Sequence, residues 1–240
     1  MHRHFTSLAA QSIGLLVSLL GITQPVGAGE PGSVTAIDIL FDPDATMIQH
    51  AVAANKRLRK SFLEGFALGQ EHQPHISVLQ RYVRTTDLDK VPVAKVLAGE
   101  KPTAWNLKAY KYYYIPWKDI GLAGIVIEPT DDLIRYQQKL VDAVAPFTVE
   151  TGTASAFVTT KEDPDINQPT INYVASFVPN ETGGKFNPHV TIGIASQDYL
   201  KKMLDEKFEA FTFSPAKASV YHLGNFGTAR KLLRSWELKG

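Results

Sequence analysis

Residues 33–41 (SVTAIDILF) alternate apolar and polar side chains and are rich in β-formers, which predicts a strand ended by Asp42-Pro43-Asp44. From residue 45 to about 68, Ile48, Val52, Leu58, Phe62 and Phe66 recur at helical intervals, and Gly69 and Gln70 close that helix. Residues 75–83 (HISVLQRYV) predict a second strand and 88–97 a second helix, ending near Gly99. Residues 107–115 and 122–128 predict two more strands, with Trp117-Lys118-Asp119 between them. Thr130, Asp131 and Asp132 are a start signal for a helix over 133–144, because their oxygens can accept from free N–H groups of a first turn.

Residues 153–160 read as a strand, and the polar stretch 161–170, with two prolines, reads as a loop. The pattern at 171–178 fits helix and strand alike. A strand at 189–194, a helix at 197–208 and closing strands near 218–223 and 232–238 complete the chain. Strands and helices alternate without the steady repeat of a doubly wound parallel sheet. The expected class is therefore α+β, with two similar halves and the first ending near Thr103.

Composition narrows the possibilities. The 240 residues are 44% hydrophobic and 20% charged, enough for a substantial core in one domain or two joined lobes. A formal net charge of +1 with dispersed Lys and Arg does not indicate a strongly basic nucleic-acid groove. The absence of cysteine excludes thiol nucleophiles, disulfides and thiolate metal sites. At the start, His2, Arg3 and His4 precede a mostly apolar run densest at 13–20, and Val26-Gly27-Ala28 offers small residues for cleavage. Residues 1–28 are thus expected to be a signal peptide, leaving residues 29–240 as one exported domain, periplasmic or secreted, with no membrane span after signal removal.

Two short segments look like copies of one another. Gln73-Pro74-His75-Ile76-Ser77-Val78 and, about 114 positions later, Asn187-Pro188-His189-Val190-Thr191-Ile192 both read amide, proline, histidine, aliphatic, hydroxyl, aliphatic. On a strand, residues two apart share a face. His75 would therefore stand beside Ser77, and His189 beside Thr191, with the aliphatic residues turned to the core. Proline suits the first position of a strand, where no N–H is required. Two imidazoles supply what phosphodiester hydrolysis needs: a neutral ring to take a proton from water and a protonated ring to give one to the leaving oxygen. The hydroxyls are suited to hold phosphoryl oxygens.

The paired histidine–aliphatic–hydroxyl–aliphatic motifs resemble the 2H phosphoesterase superfamily, which includes RNA 2',3'-cyclic phosphodiesterases and 2'-5' RNA ligase-like proteins. The closing segment from Val220 through Arg230, followed by Trp236-Glu237-Leu238, is similar to the final hairpin of some members. The resemblance implies a bilobal, pseudo-two-fold fold, with two antiparallel sheets flanking a central cleft and helices outside. It also implies catalysis by His75 and His189, phosphate binding by Ser77 and Thr191, no cofactor and no metal. The substrate implied is a small phosphodiester or an RNA-terminal cyclic phosphate, handled by a monomer. In related cyclic phosphodiesterases the first-motif histidine often serves as acid and the second as base.

Other residues have alternative readings. Tyr112 and Tyr114 share a face of their strand and, with Phe226 in the turn at 224–227, are candidates for stacking on a base; sheet and core packing competes for the tyrosines. Lys185 is a candidate for steering an anionic substrate. His72 with His75 suggests a metal pair, but the intervening proline and the lack of a third spaced ligand favour a solvated loop histidine. His50 is expected at a surface and His222 in a structural role. A phosphate-binding protein without catalysis is the alternative on the same scaffold.

Overall fold

The computed structural model describes residues 32–161 and 163–238, so the leader expected at 1–28 lies outside the described residues. The chain runs β1 (Val34–Pro43), α1 (Ala45–Ser61), β2 (Ile76–Arg84), α2 (Val93–Leu97), β3 (Leu107–Trp117), β4 (Ile120–Ile127) and α3 (Asp131–Val144). It continues through β5 (Thr148–Val149), α4 (Gln168–Glu181), β6 (His189–Ser196), α5 (Gln197–Leu204), β7 (Phe211–Phe213), β8 (Pro215–Leu223) and β9 (Ala229–Glu237). The strands form two antiparallel sheets, ordered β5-β2-β1-β8-β9 and β6-β4-β3-β7. The protein is therefore α+β, as the pattern predicts.

The division near Thr103 is corrected. The sheet begun by β1 and β2 is completed by β8 and β9 from the far end of the chain, so neither half is continuous in sequence. The repetition is nonetheless visible in the wiring. Each histidine motif opens a strand (β2, β6) that pairs with a central strand (β1, β4) reached through helical chain. The helices then cross over. The helix between β1 and β2, α1, packs on β6, and the helices between β4 and β6, α3 and α4, pack on β2. A large buried cluster consequently joins both sheets, from Phe41 and Val78 to Ile125 and Val190.

Local chemistry explains where the pattern misled. Asp44 caps α1 by accepting from the Thr46 and Met47 N–H groups at 2.9 and 3.3 Å, but Phe62 turns to extended backbone and ends the helix well before residue 68. Pro92, which has no N–H to give a continuing helix, splits the helix expected at 88–97 into a 3₁₀ segment, Thr85–Lys90, and α2. Residues 153–160 are not a strand; they hold one 3₁₀ turn at Ala154–Ala156. The ambiguous stretch at 171–178 is helix. It starts inside the expected loop because Asn167 accepts from Thr170 N–H at 2.8 Å and Pro169 fits a first turn. Thr130 caps α3 as expected.

Candidate active site

His75 immediately precedes β2 and His189 is the first residue of β6. In both, the ring Nδ1 lies against the carbonyl oxygen two residues earlier: Gln73 O at 2.7 Å and Asn187 O at 2.8 Å. A carbonyl only accepts, so each Nδ1 carries the hydrogen, and each Nε2 is left to bind or release a proton. Gln73 is itself held, its amide donating to Asp42 at 2.7 Å and accepting from the Tyr221 hydroxyl at 3.0 Å.

Although β2 and β6 belong to different sheets, they approach each other directly. Burial pushes both imidazoles below the ordinary histidine value of 6.5, opposed in each case by the backbone hydrogen bond. His189 is pushed down further by the charge of His75, so the two rings lie within electrostatic reach of each other. The His75 side chain keeps 14% of its surface exposed, so burial does not sever it from solvent.

Each motif strand bulges at the same relative place. In β2, Leu79 pairs with Ile39 and Ser77 with Leu40, which skips Val78. In β6, Gly193 pairs with Ala123 and Thr191 with Gly124, which skips Ile192. Both skipped residues stand three positions after their histidine. Their carbonyls are taken by buried side-chain amides from the crossing helices. Gln137 of α3 donates to Val78 O at 2.9 Å, and Asn55 of α1 donates to Ile192 O at 2.9 Å.

The same two amides also hold the segments leading into the opposite motif. Gln137 donates to Glu181 O and accepts from Gly183 N–H, both at 3.1 Å, ahead of His189. Asn55 donates to Phe66 O at 3.0 Å and accepts from Leu68 N–H at 3.2 Å, ahead of His75. Each amide therefore ties one motif strand to the approach of the other. Gly193, at φ +136°, lies where a Cβ would come within 2.8 Å of Asn55 Nδ2, so glycine is needed there for both conformation and contact.

The bulge at Val78 puts Ser77 and Gln80 on one face, where both meet Asp38 in the middle of β1. The Ser77 hydroxyl donates to Asp38 Oδ2 in a short bond, Gln80 Nε2 donates to the same oxygen at 3.1 Å, and His75 Nε2 stands 3.7 Å from it. Asp38 is wholly buried, and burial raises its carboxyl to about 7 against the hydrogen bonds from Ser77 and Gln80. On the other strand, the Thr191 hydroxyl has no hydrogen-bond partner among the described residues.

Of the expected stacking and steering residues, none contacts either histidine. Tyr112 packs edge-on against Phe208, with ring centroids 4.7 Å apart, and Tyr114 lies over Gly121 and against the core. Their shared face is the packed one, the sheet and core packing that competes with stacking for these tyrosines. Tyr113 presents its ring to His189, with centroids 4.9 Å apart and a 63° tilt. It can do so because Gly124 lies opposite; a Cβ there would stand 2.4 Å from the Tyr113 ring. Lys185 Nζ donates to the Pro179 carbonyl at 2.8 Å, near the end of α4. Phe226 meets Trp117 at the end of β3, with centroids 4.9 Å apart, and both rings stay partly exposed.

His72 is half-buried and stacked on Phe66 at 4.3 Å, not a solvated loop residue. His50 is exposed and stacks on Phe211 at 3.7 Å, and His222 is bonded to Ala156 O at 2.9 Å. Among the described residues, no group of three or more His, Asp or Glu side chains is arranged to hold a metal ion, and no helix is long and apolar enough to cross a membrane.

The fold and this site together define an α+β protein of two antiparallel sheets joined by crossing helices, with a histidine motif at the head of one strand in each. Neither the family models nor the curated proteins contain a match to the chain. Among solved structures it is similar to E. coli LigT, in crystal structures complexed with NADP+ and with 3'-AMP. Identity is 12% in both, over 87% of this chain and 100% of that one, with TM-scores of 0.41 and 0.39.

Proposed function

We propose that the protein is a metal-independent phosphodiesterase that opens a 2',3'-cyclic nucleotide or a related small phosphodiester, with His75 and His189 as the acid–base pair. The observation that carries this reading is that both Nδ1 atoms are engaged by a backbone carbonyl, which leaves two Nε2 atoms for proton transfer. The resemblance of the two motifs to the 2H phosphoesterases supports the substrate class. One Nε2 takes the proton of an attacking water while the other gives a proton to the departing ribose oxygen, and the hydrolysis leaves a monoester. Following the resemblance, His75 is assigned the acid role and His189 the base. Ser77 and Thr191 are assigned to the nonbridging oxygens, where negative charge must be held. Tyr113, against His189, limits how that ring can turn. The expected leader at 1–28 makes the periplasm or the cell exterior the proposed place of action.

The test is turnover of a panel of 2',3'-cyclic nucleotides, 2'-5' oligomers and other small phosphodiesters, with chelator present. His75→Ala and His189→Ala are each expected to lower kcat by about 100- to 10,000-fold with the fold intact. Unchanged turnover in the double variant, or loss of wild-type turnover on chelation, contradicts the reading.

A further inference from the structure

The reading above leaves Ser77 with a conflict. Its one hydroxyl hydrogen is given to Asp38 Oδ2, so it has none for a phosphoryl oxygen. Turning that hydrogen to a substrate would strip an ionised Asp38 of a donor in a site without water access. Its Oδ1 already has no partner, and only the Gln80 amide would remain. If Asp38 carries a proton on Oδ2, the conflict disappears. That oxygen then donates to Ser77 Oγ, and the serine hydrogen is free.

We propose that Asp38 is a positioning residue whose protonation decides whether Ser77 can donate to the substrate phosphate. The proton stays on Asp38 throughout; no bond to phosphorus is made or broken there. Other groups facing Asp38 bear on the same choice. Asp42 on its own strand adds negative charge. His75 at the head of β2 is held toward its neutral form, so the 3.7 Å approach is not a fixed ion pair. Tyr173 of α4 and Tyr221, directly across on β8, are neutral phenols with raised values. Of these, only His75 while it carries its acid proton supplies a cation; with that ring neutral, burial carries the Asp38 carboxyl to about 7.

The proposal rests on the phosphodiesterase reading and is tested by the pH dependence of kcat/KM on a 2',3'-cyclic nucleotide, whose phosphodiester charge is constant over the working range. Losing one donor to the developing charge costs about 100- to 1,000-fold. In the wild type the alkaline limb should therefore steepen from a slope of about −1 to about −2 as Asp38 ionises above about pH 7. In Asp38→Asn the amide donates to Ser77 Oγ at every pH, and once the Gln80 amide turns over, its otherwise unpartnered Oε1 takes the second hydrogen in place of the Nε2 contact. That variant should keep activity at low pH and fall with a slope of about −1 throughout. Ser77→Ala should lose activity at all pH values and also show the single slope. A wild type without the second step, or a folded Asp38→Asn that is inactive at every pH, overturns the proposal.

If the wild type turns over no cyclic phosphodiester, the phosphodiesterase reading fails on its own. The Asp38 proposal is then judged by calorimetric binding of the same cyclic nucleotide and by carboxyl-carbon NMR. It expects affinity to weaken above about pH 7 in the wild type alone, with Asp38 titrating near there. An Asp38 midpoint near the ordinary carboxylate value, or pH-independent affinity, overturns it.

Discussion

Replacing Gln137 by methionine tests whether the crossing helices hold the two motifs. Methionine matches glutamine in length and helix preference, so the change removes hydrogen bonds without opening a cavity. It leaves Val78 O, Glu181 O and Gly183 N–H without their side-chain partner, the first of them fully buried and the other two partly so. At about 1 kcal/mol per bond this is about 3 kcal/mol, of which the easier burial of a thioether returns up to about 1. A net loss of about 2–3 kcal/mol should lower Tm by about 5–10 °C for a chain of this size. Urea unfolding should show a lower midpoint with an unchanged slope.

Because the Val78 carbonyl belongs to the bulge that sets Ser77 beside Asp38, kcat measured well below Tm should fall by about 10- to 100-fold. Gln138→Met, one residue along on the exposed face of α3, is the control and should change stability by less than about 0.5 kcal/mol. A Gln137→Met protein within about 1 kcal/mol of wild type, or one that is destabilised but fully active, would refute the reasoning.

Three further outcomes are expected. The kcat/KM optimum should fall below pH 6.5, because burial depresses both imidazoles and the optimum of an acid–base pair lies between their two values; an optimum above pH 7 would count against His75 and His189 as that pair. Gly124→Ala, whose Cβ would meet the Tyr113 ring at 2.4 Å, should cost about 1–3 kcal/mol and lower activity, and Tyr113→Leu in the same chain should restore stability. Paired with Gln137→Met, Asn55→Ala should show non-additive effects on kcat, since both amides bear on the same two strands; additive losses would mean that they act independently.

The elements that can be read from the sequence are those whose local signals agree. β1 and the two motif strands combine alternation with β-formers, and Thr130 with Asp131 and Asp132 forms a helix cap legible from residue type alone. The repeated motif also indicates that the two histidines belong together, because matched context over six residues is a rare coincidence. What period alone misses is the bulge. Val78 and Leu79 are both buried, so adjacent positions that strict alternation would send to opposite faces both turn inward. Gly193 is the visible trace of the second bulge, but a glycine in a strand has several uses.

Asp38 looks like one more polar position in an alternating strand until β2 is laid beside it and Ser77 and Gln80 reach it. Asn55 and Gln137 carry no signal at all in one dimension, since their partners are backbone atoms on remote strands. The aromatic run on β3 indicated a face, but which tyrosine meets His189 depends on Gly124 across the ladder. Likewise, the return of β8 and β9 to the first sheet is a long-range pairing that local pattern does not encode.

The most direct measurement is a crystal structure with a slowly cleaved 2',3'-cyclic phosphorothioate nucleotide. The account predicts one phosphorus held between the rings, with His75 Nε2 and His189 Nε2 each about 2.6–3.2 Å from a different oxygen at that centre, or joined to it through one water. A phosphate seated elsewhere, or one touched by a single histidine while the other ring points away, would contradict it.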